Sequence, residues 1–304
     1  MSACADAPAR ASVGSLVNGT ASTEAGVVAV IHTRPTGTRQ LCTGTLVGPN
    51  VVLTAKHCVY EDMGGSEWVA NPTAAMSITL GDAVSSPTGE VAVTAISTTP
   101  GPYHDGDGAN GGDIALLTLA SVPPFITPRV IARDAPTAGL ALRIEGFGYT
   151  GAGSTGTLGE RHQGSAGIVS VAVGTFTSEG PSWTCTGDSG GPAFRASDGA
   201  LLGVTSIGPR GCPASTSVYT RVDQHLALLA AAGVVIGIDV DAGADIDAGR
   251  VTDDAGRPEP SDAGLVAPPR RASGCSAGAR GDERSEGLLA LVALGLAVVA
   301  ARRR

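Results

Sequence analysis

Between residues 16 and 236 the chain is broken into short apolar pieces, and this punctuation limits what it can fold into. Val27–Ile31, Val51–Leu53, Ser77–Leu80, Glu90–Ile96, Ile114–Leu119, Ile168–Val173 and Leu201–Ser206 are apolar or alternating runs of strand length. Clusters of Gly, Pro, Asn and Asp interrupt them throughout. Glycine (44) and proline (19) make up about a fifth of the 304 residues, which favours turn-rich β structure over helical bundles. Only Asp223–Ala232 reads as a helix, with Asp223 as its cap and Gly233 as its stop. The pattern predicts an all-β domain closed by a short C-terminal helix.

Composition excludes several classes of function. The balance of 20 basic against 28 acidic residues, a formal −8, argues against nucleic-acid binding. At 42% hydrophobic, the chain can bury a core and is not disordered as a whole. Six cysteines point to an oxidising compartment. Lys56 is the sole lysine, the other nineteen cations being arginine, and this reads as a compositional bias. His32, His104, His162 and His225, expected in turns or on the candidate helix, call for no special role.

The two ends differ from the middle. Residues 1–15 form a leader without the basic start and apolar run of a secretion signal. Met1-Ser2-Ala3-Cys4 resembles the end of a bacterial lipoprotein signal, with an unpaired cysteine in a loose leader as the plainer reading. Either the protein stays inside, or the true start lies upstream. Residues 237–273 are expected to be a flexible linker. Within them, 239–264 hold eight acidic residues against Arg250 and Arg257, and four Asp-Ala-Gly triplets at irregular spacing that fits no calcium loop. Residues 274–304 form a tail: Gly274-Cys275-Ser276, a polar spacer, fourteen residues of Leu, Ala, Val and Gly from Leu288 to Ala301, then Arg302–Arg304. As a helix the apolar run spans about 21 Å, short of the ~30 Å hydrocarbon core. The tail resembles the C-terminal sorting tails of secreted myxobacterial proteins, which implies processing near Cys275 by sorting machinery and display on a bacterial cell surface. An ordinary transmembrane tail anchor, or the last helix of a domain, is the other reading.

Three segments carry chemistry. Leu53-Thr54-Ala55-Lys56-His57-Cys58 runs a short strand into a histidine. Asp113-Ile114-Ala115-Leu116-Leu117 places an aspartate at the mouth of an apolar strand. Cys185-Thr186-Gly187-Asp188-Ser189-Gly190-Gly191-Pro192 holds a serine in a loop too glycine-rich for ordinary structure. A serine hydroxyl is a poor nucleophile until a base takes its proton, and the base needs a group to orient it. Glycines beside the serine let backbone N–H groups turn toward a developing oxyanion.

These motifs, in the order His57, Asp113, Ser189, resemble the chymotrypsin–trypsin family of serine endopeptidases over roughly residues 16–232. The resemblance implies two six-stranded antiparallel β-barrels, no metal or other cofactor, a monomer, and protein or peptide substrates. It implies Ser189 as nucleophile, His57 as general base and then acid, and Asp113 as the group that fixes the histidine tautomer. It implies an oxyanion hole from the N–H groups of Gly187 and Ser189, and disulfides Cys42–Cys58 and Cys185–Cys212. Substrate contacts fall to Trp183, Thr184, Ser206, Ile207, Gly208 and Ser217, with Ser206–Gly208 pairing to substrate backbone. Leu16-Val17-Asn18-Gly19 resembles the mature start of the family. This implies a zymogen cut after Ser15 by an activating protease, with the freed Leu16 ammonium seated beside Asp188. The chain departs from the trypsin pattern at Trp183, where an aspartate would select Arg or Lys. A tryptophan there either fills the pocket or swings out of it. A filled pocket would suit a second reading, a catalytically silent binding module on this fold. Gly146-Phe147-Gly148 matches a structural turn of the family.

Overall fold

The computed structural model describes residues 16–64, 66–208, 211–213, 216–234 and 236–237. The expected leader, the linker beyond residue 237 and the tail with Cys275 lie outside them. A two-residue β1 (Thr20–Ala21) leads into β2 (Val27–Thr33), β3 (Arg39–Gly48) and β4 (Val51–Thr54). A side hairpin, β5 (Tyr60–Gly64) and β6 (Glu67–Ala70), precedes β7 (Met76–Leu80), β8 (Gly89–Thr98) and β9 (Ala115–Leu119). Strands β2-β3-β4-β9-β8-β7 close an antiparallel barrel in that order. The second half contains β10 (Ala141–Gly146), β11 (His162–Val171), β12 (Thr175–Glu179), β13 (Pro192–Arg195), β14 (Leu201–Ile207) and β15 (Ser217–Arg221). These six run in the order β11-β10-β13-β14-β15-β12, and pairing of β11 with β12 closes the second barrel, with β1 added outside β11. The expected pair of six-stranded antiparallel barrels is therefore the fold.

Each anticipated strand is present, most of them a residue or two longer than the apolar run that signalled it. β8 shows why alternation is informative, since Val91 and Val93 point into the core while Ala92 and Thr94 face out. β3 escaped sequence reading because it opens on Arg39-Gln40 and carries Thr43 and Thr45, both fully buried. Thr43 faces the junction of the barrels, where its hydroxyl finds partners. Two histidines expected in turns are buried in strands: His32 in β2 and His162 in β11 are 3% and 4% exposed.

The terminal helix is shorter than Asp223–Ala232. A 3-10 turn at Asp223–His225 leads into a helix over Leu226–Ala231. Gly233, at φ 72°, stops it as expected. Asp223 does not cap the start, because its carboxylate is taken by Arg221 at 2.5 Å and by Gln224 at 2.9 Å. No helix among the described residues is long and apolar enough to cross a membrane.

The barrels are tied together by buried polar contacts as well as apolar packing. The Arg161 guanidinium, 2% exposed, donates to the carbonyls of Ser22 and Val27 and pairs with Asp82. From the first barrel, Thr43 N–H donates to Ser189 O at 2.7 Å and Thr43 Oγ1 donates to Gly187 O at 2.8 Å. Thr43 Oγ1 accepts from Phe147 N–H at 3.0 Å. One threonine thus fixes the serine loop of the second barrel against the strand that carries Cys42.

Candidate active site

Strand register brings the histidine to the aspartate. β4 pairs with β9 antiparallel with Thr54 opposite Ala115, so the residues after β4 and before β9 leave the barrel at one edge. His57 sits there on a 3-10 turn, Lys56–Val59. Its Nδ1 lies 2.7 Å from Asp113 Oδ2, and its backbone N–H donates to Asp113 Oδ1 at 2.9 Å. The Ser206 hydroxyl, from β14 of the other barrel, donates to Asp113 Oδ2 at 2.6 Å. Asp113 is wholly buried, whereas the His57 side chain keeps 17% exposure.

Burial alone would push the Asp113 carboxyl up. The His57 charge, with hydrogen bonds from His57 and Ser206, outweighs it and leaves the carboxyl below the ordinary carboxylate range. His57 is the mirror case. Burial lowers it, but the charge and hydrogen bond of Asp113 win and hold the imidazole above 6.5. Two buried groups of opposite charge each favour the ionised form of the other.

Ser189 occupies a loop that only glycine permits. Gly190 has φ 81°, and a Cβ there would lie 2.1 Å from Thr54 Oγ1 and 2.3 Å from Thr43 O. Ser189 and His57 line one cleft of about 380 Å³, together with Thr184, Thr186, Ile207 and Gly208. Among the described residues the Ser189 hydroxyl makes no hydrogen bond to the His57 ring; contacts of this kind tighten as substrate binds. The N–H groups of Gly187 and Ser189 donate no hydrogen bond among the described residues, while their carbonyls are held by Thr43.

Asp188 lies beneath this loop, with no exposure. Its carboxylate accepts the N–H groups of Gly148 and Cys185, each at 2.8 Å. Burial pushes its carboxyl up to about 7, against the pull of those two donors. Gly148 is required for this fit, since a Cβ there would stand 2.5 Å from Asp188 Cγ. Leu16 is also fully buried, with φ 58°, in the core of the second barrel beside Leu142, Ile144 and Tyr219. Val17 bridges Trp183 through a backbone hydrogen bond of 3.1 Å.

Both expected disulfides form, Cys42–Cys58 and Cys185–Cys212. The ligating atoms of Cys42, His57 and Cys58 lie within 4.8 Å of one another, but both sulfurs are committed to the disulfide and offer no thiolate to a metal. Trp183 is half-buried, its Nε1 donating to Cys212 O at 3.0 Å, and it does not line the cleft. Ser217 lies behind the wall, accepting from Thr184 N–H at 3.1 Å and Thr184 Oγ1 at 2.9 Å.

Four residues of the site were not singled out from sequence. Thr43 carries no motif of its own. Trp68 and Tyr103 line the cleft with their rings 4.6 Å apart, and Tyr103 lies 5.9 Å from the His57 ring. Their rarity was a usable signal in a chain with only 3% aromatic residues. The fourth is Lys56, which the sequence alone presents as a compositional bias.

The trypsin family model matches residues 17–229. A trypsin of Saccharopolyspora erythraea is 34% identical over 212 residues, covering 63% of this chain and 86% of that protein. A renal glandular kallikrein of Mastomys natalensis is 27% identical over 218 residues, covering 62% and 78% respectively. Among solved structures, neuropsin, a serine protease expressed in the limbic system of mouse brain, shares the fold with a TM-score of 0.57 at 24% identity. That match covers 71% of this chain and 99% of the other. The chain belongs to the trypsin family of serine endopeptidases.

Proposed function

We propose that this endopeptidase cuts peptide bonds through an acyl-enzyme on Ser189. The observation that carries the reading is the buried Asp113–His57 pair at 2.7 Å, with Ser189 in the same cleft. His57 Nε2 takes the hydroxyl proton as Oγ adds to the substrate carbonyl. The tetrahedral oxyanion that forms meets the N–H groups of Gly187 and Ser189, where one such donor typically contributes about 3–4 kcal/mol. His57 then gives its proton to the leaving amine as the C–N bond breaks, and water repeats the sequence to release the acid. Asp113 stays ionised throughout and stabilises the imidazolium. Ser206–Gly208, at the open end of β14, offers backbone for an added strand of substrate.

The same reading includes activation by a cut after Ser15. It is supported by a buried Asp188 carboxylate that forms no ion pair among the described residues, and by a Leu16 already fully buried in the second barrel, next to Val17, which pairs with Trp183. A freed Leu16 ammonium is the cation that this carboxylate lacks. Two disulfides suit an extracellular protein. Display on a bacterial surface rests on the tail sequence around Cys275. The silent-module reading needs a blocked pocket, and Trp183 leaning onto Cys212 speaks against it.

Fluorophosphonate labelling of the chain cut at Leu16, beside Ser189→Ala, tests the reading. Labelling of the unsubstituted chain alone is expected. A folded, disulfide-intact chain that does not label would put the silent module first.

A further inference from the structure

The chain's one lysine is buried beside the catalytic histidine. The Lys56 side chain is 1% exposed, and its Nζ donates to Thr99 Oγ1 at 3.1 Å and to Asp107 Oδ2 at 3.3 Å. Both partners belong to the segment 99–112 between β8 and β9. Several contacts inside that segment involve the same two residues, while Trp68 Nε1 to Asp105 Oδ1 at 2.9 Å and His225 Nε2 to Gly111 O at 2.7 Å hold it from other elements. Thr99 Oγ1 donates to Gly112 O at 2.7 Å, closing the segment at its base. Asp107 Oδ2 accepts the His104 N–H at 3.2 Å, and Asp107 O accepts the Gly112 N–H at 2.8 Å. A lysine suits the place, because a compact ammonium on an apolar stem can pass through a packed wall and still meet two acceptors.

The segment so held forms one side of the cleft. It presents Tyr103, 7% exposed, between His57 and Trp68. Its single helical turn, Asp107–Asn110, sits directly on β14: a Cβ on Gly108 would lie 2.6 Å from Ile207 Cδ1 and 2.9 Å from Ser206 Oγ. Ile207 and Gly208 lie at the strand end where the acyl side of a substrate would run. His57, in contrast, is placed by its own two bonds to Asp113 and by the β4–β9 register, neither of which passes through Lys56.

We propose that Lys56 is a positioning residue for substrate: through Asp107 and Thr99 it holds the segment 99–112 closed as the acyl-side wall of the cleft. The inference rests on the endopeptidase reading above. With the ion pair gone, the wall loosens and extended substrates lose the Tyr103–Trp68 shelf, while the nucleophile and its base stay in place.

The test compares two reactions in the chain cut at Leu16 and in its Lys56→Met, Asp107→Asn and doubly substituted forms. One is the second-order rate of fluorophosphonate labelling, which needs only the reacting groups. The other is kcat and KM on a library of tetrapeptide amides, which span the wall. Lys56→Met and Asp107→Asn should each lose peptide kcat/KM by a factor exceeding any loss of labelling by roughly tenfold or more, mostly through KM, in line with the cost of small misplacements. The double form should lose no more than the worse single form, because both break one contact. Should Lys56→Met fail to fold, Asp107→Asn carries the comparison, its site being partly exposed. Equal losses in both reactions, no loss in peptides, or additive losses would each overturn the proposal. A parent chain that neither labels nor cleaves defeats the endopeptidase reading itself; a parent that does both, with unaltered variants, defeats the wall alone.

Discussion

Three bonds converge on Asp113: a ring nitrogen, a backbone N–H and a serine hydroxyl from the opposite barrel all reach one buried carboxylate. Replacement by Asn keeps the shape but offers an amide N–H where an acceptor is required, leaving His57 in the wrong tautomer. Asp113→Asn should lower kcat by a factor on the order of 10⁴, as this change does in Ser-His-Asp triads, with folding retained. A loss under tenfold would remove Asp113 from the mechanism. The pH dependence follows from the imidazole. His57 must be neutral to accept a proton, and Asp113 holds it above 6.5. The rate should be full in alkali and fall as pH drops through a midpoint above 6.5. A flat profile between pH 5 and 8 would contradict a histidine base.

At the scale of elements, the site depends on two strand ends and one loop staying in register. The Cys42–Cys58 disulfide, spanning 16 residues, links β3 to the turn that carries His57. Replacing both cysteines with Ala should cost about 3 kcal/mol, the loop-closure value for a ring of this length, read from the urea midpoint. An unchanged midpoint would mean that β-pairing alone holds the turn. The strands themselves were legible where apolar runs alternate or cluster, as in β2, β8, β9 and β14. β3, β10, β12, β13 and β15 were not singled out. β3 and β15 are rich in Thr and Ser, and β10 and β13 carry Arg143 and Arg195. Pattern reading assigns polar residues to surfaces, whereas between two packed barrels they are buried with partners. Asp223 shows the converse. Its position suits a cap, but Arg221 two residues earlier competes for the same carboxylate and wins through charge.

At the scale of the molecule, the groups of the proposed site are divided between barrels, with His57 and Asp113 on the first and Ser189 and Ser206 on the second. The junction between them also holds the buried charge of Asp188. Its folded pKa of about 7 stands above the unfolded carboxyl value of 3.8, so between those values the folded chain binds more protons than the unfolded one. Stability of the uncut chain should therefore decline as pH rises from about 4 through 7. A Leu16 ammonium beside Asp188 would reverse this by favouring its ionised form. Urea midpoints at pH 5 and pH 8 check it: a fall with pH in the uncut chain, less fall after cleavage, and a flatter response in uncut Asp188→Asn. If Asp188→Asn leaves the slope of the uncut chain unchanged, Asp188 is not its source.

The sequence by itself was sufficient for the class of fold and, through the resemblance of its short motifs to a family, for the proposed reacting residues and both cysteine pairs. Strand-length runs, a glycine-rich loop around Ser189 and residues beside cysteines survive as short motifs whatever the rest of the chain does. The tertiary structure decided what depends on distance across the junction. It turned Trp183 onto Cys212, buried Thr43 between the barrels, and set Tyr103 and Trp68 against His57. It also brought Lys56 to Asp107, 51 positions away in the chain. Apart from the rarity of the aromatics, none of these has a local signature, because a side chain's partner across a barrel is chosen by register and packing rather than by its neighbours in sequence.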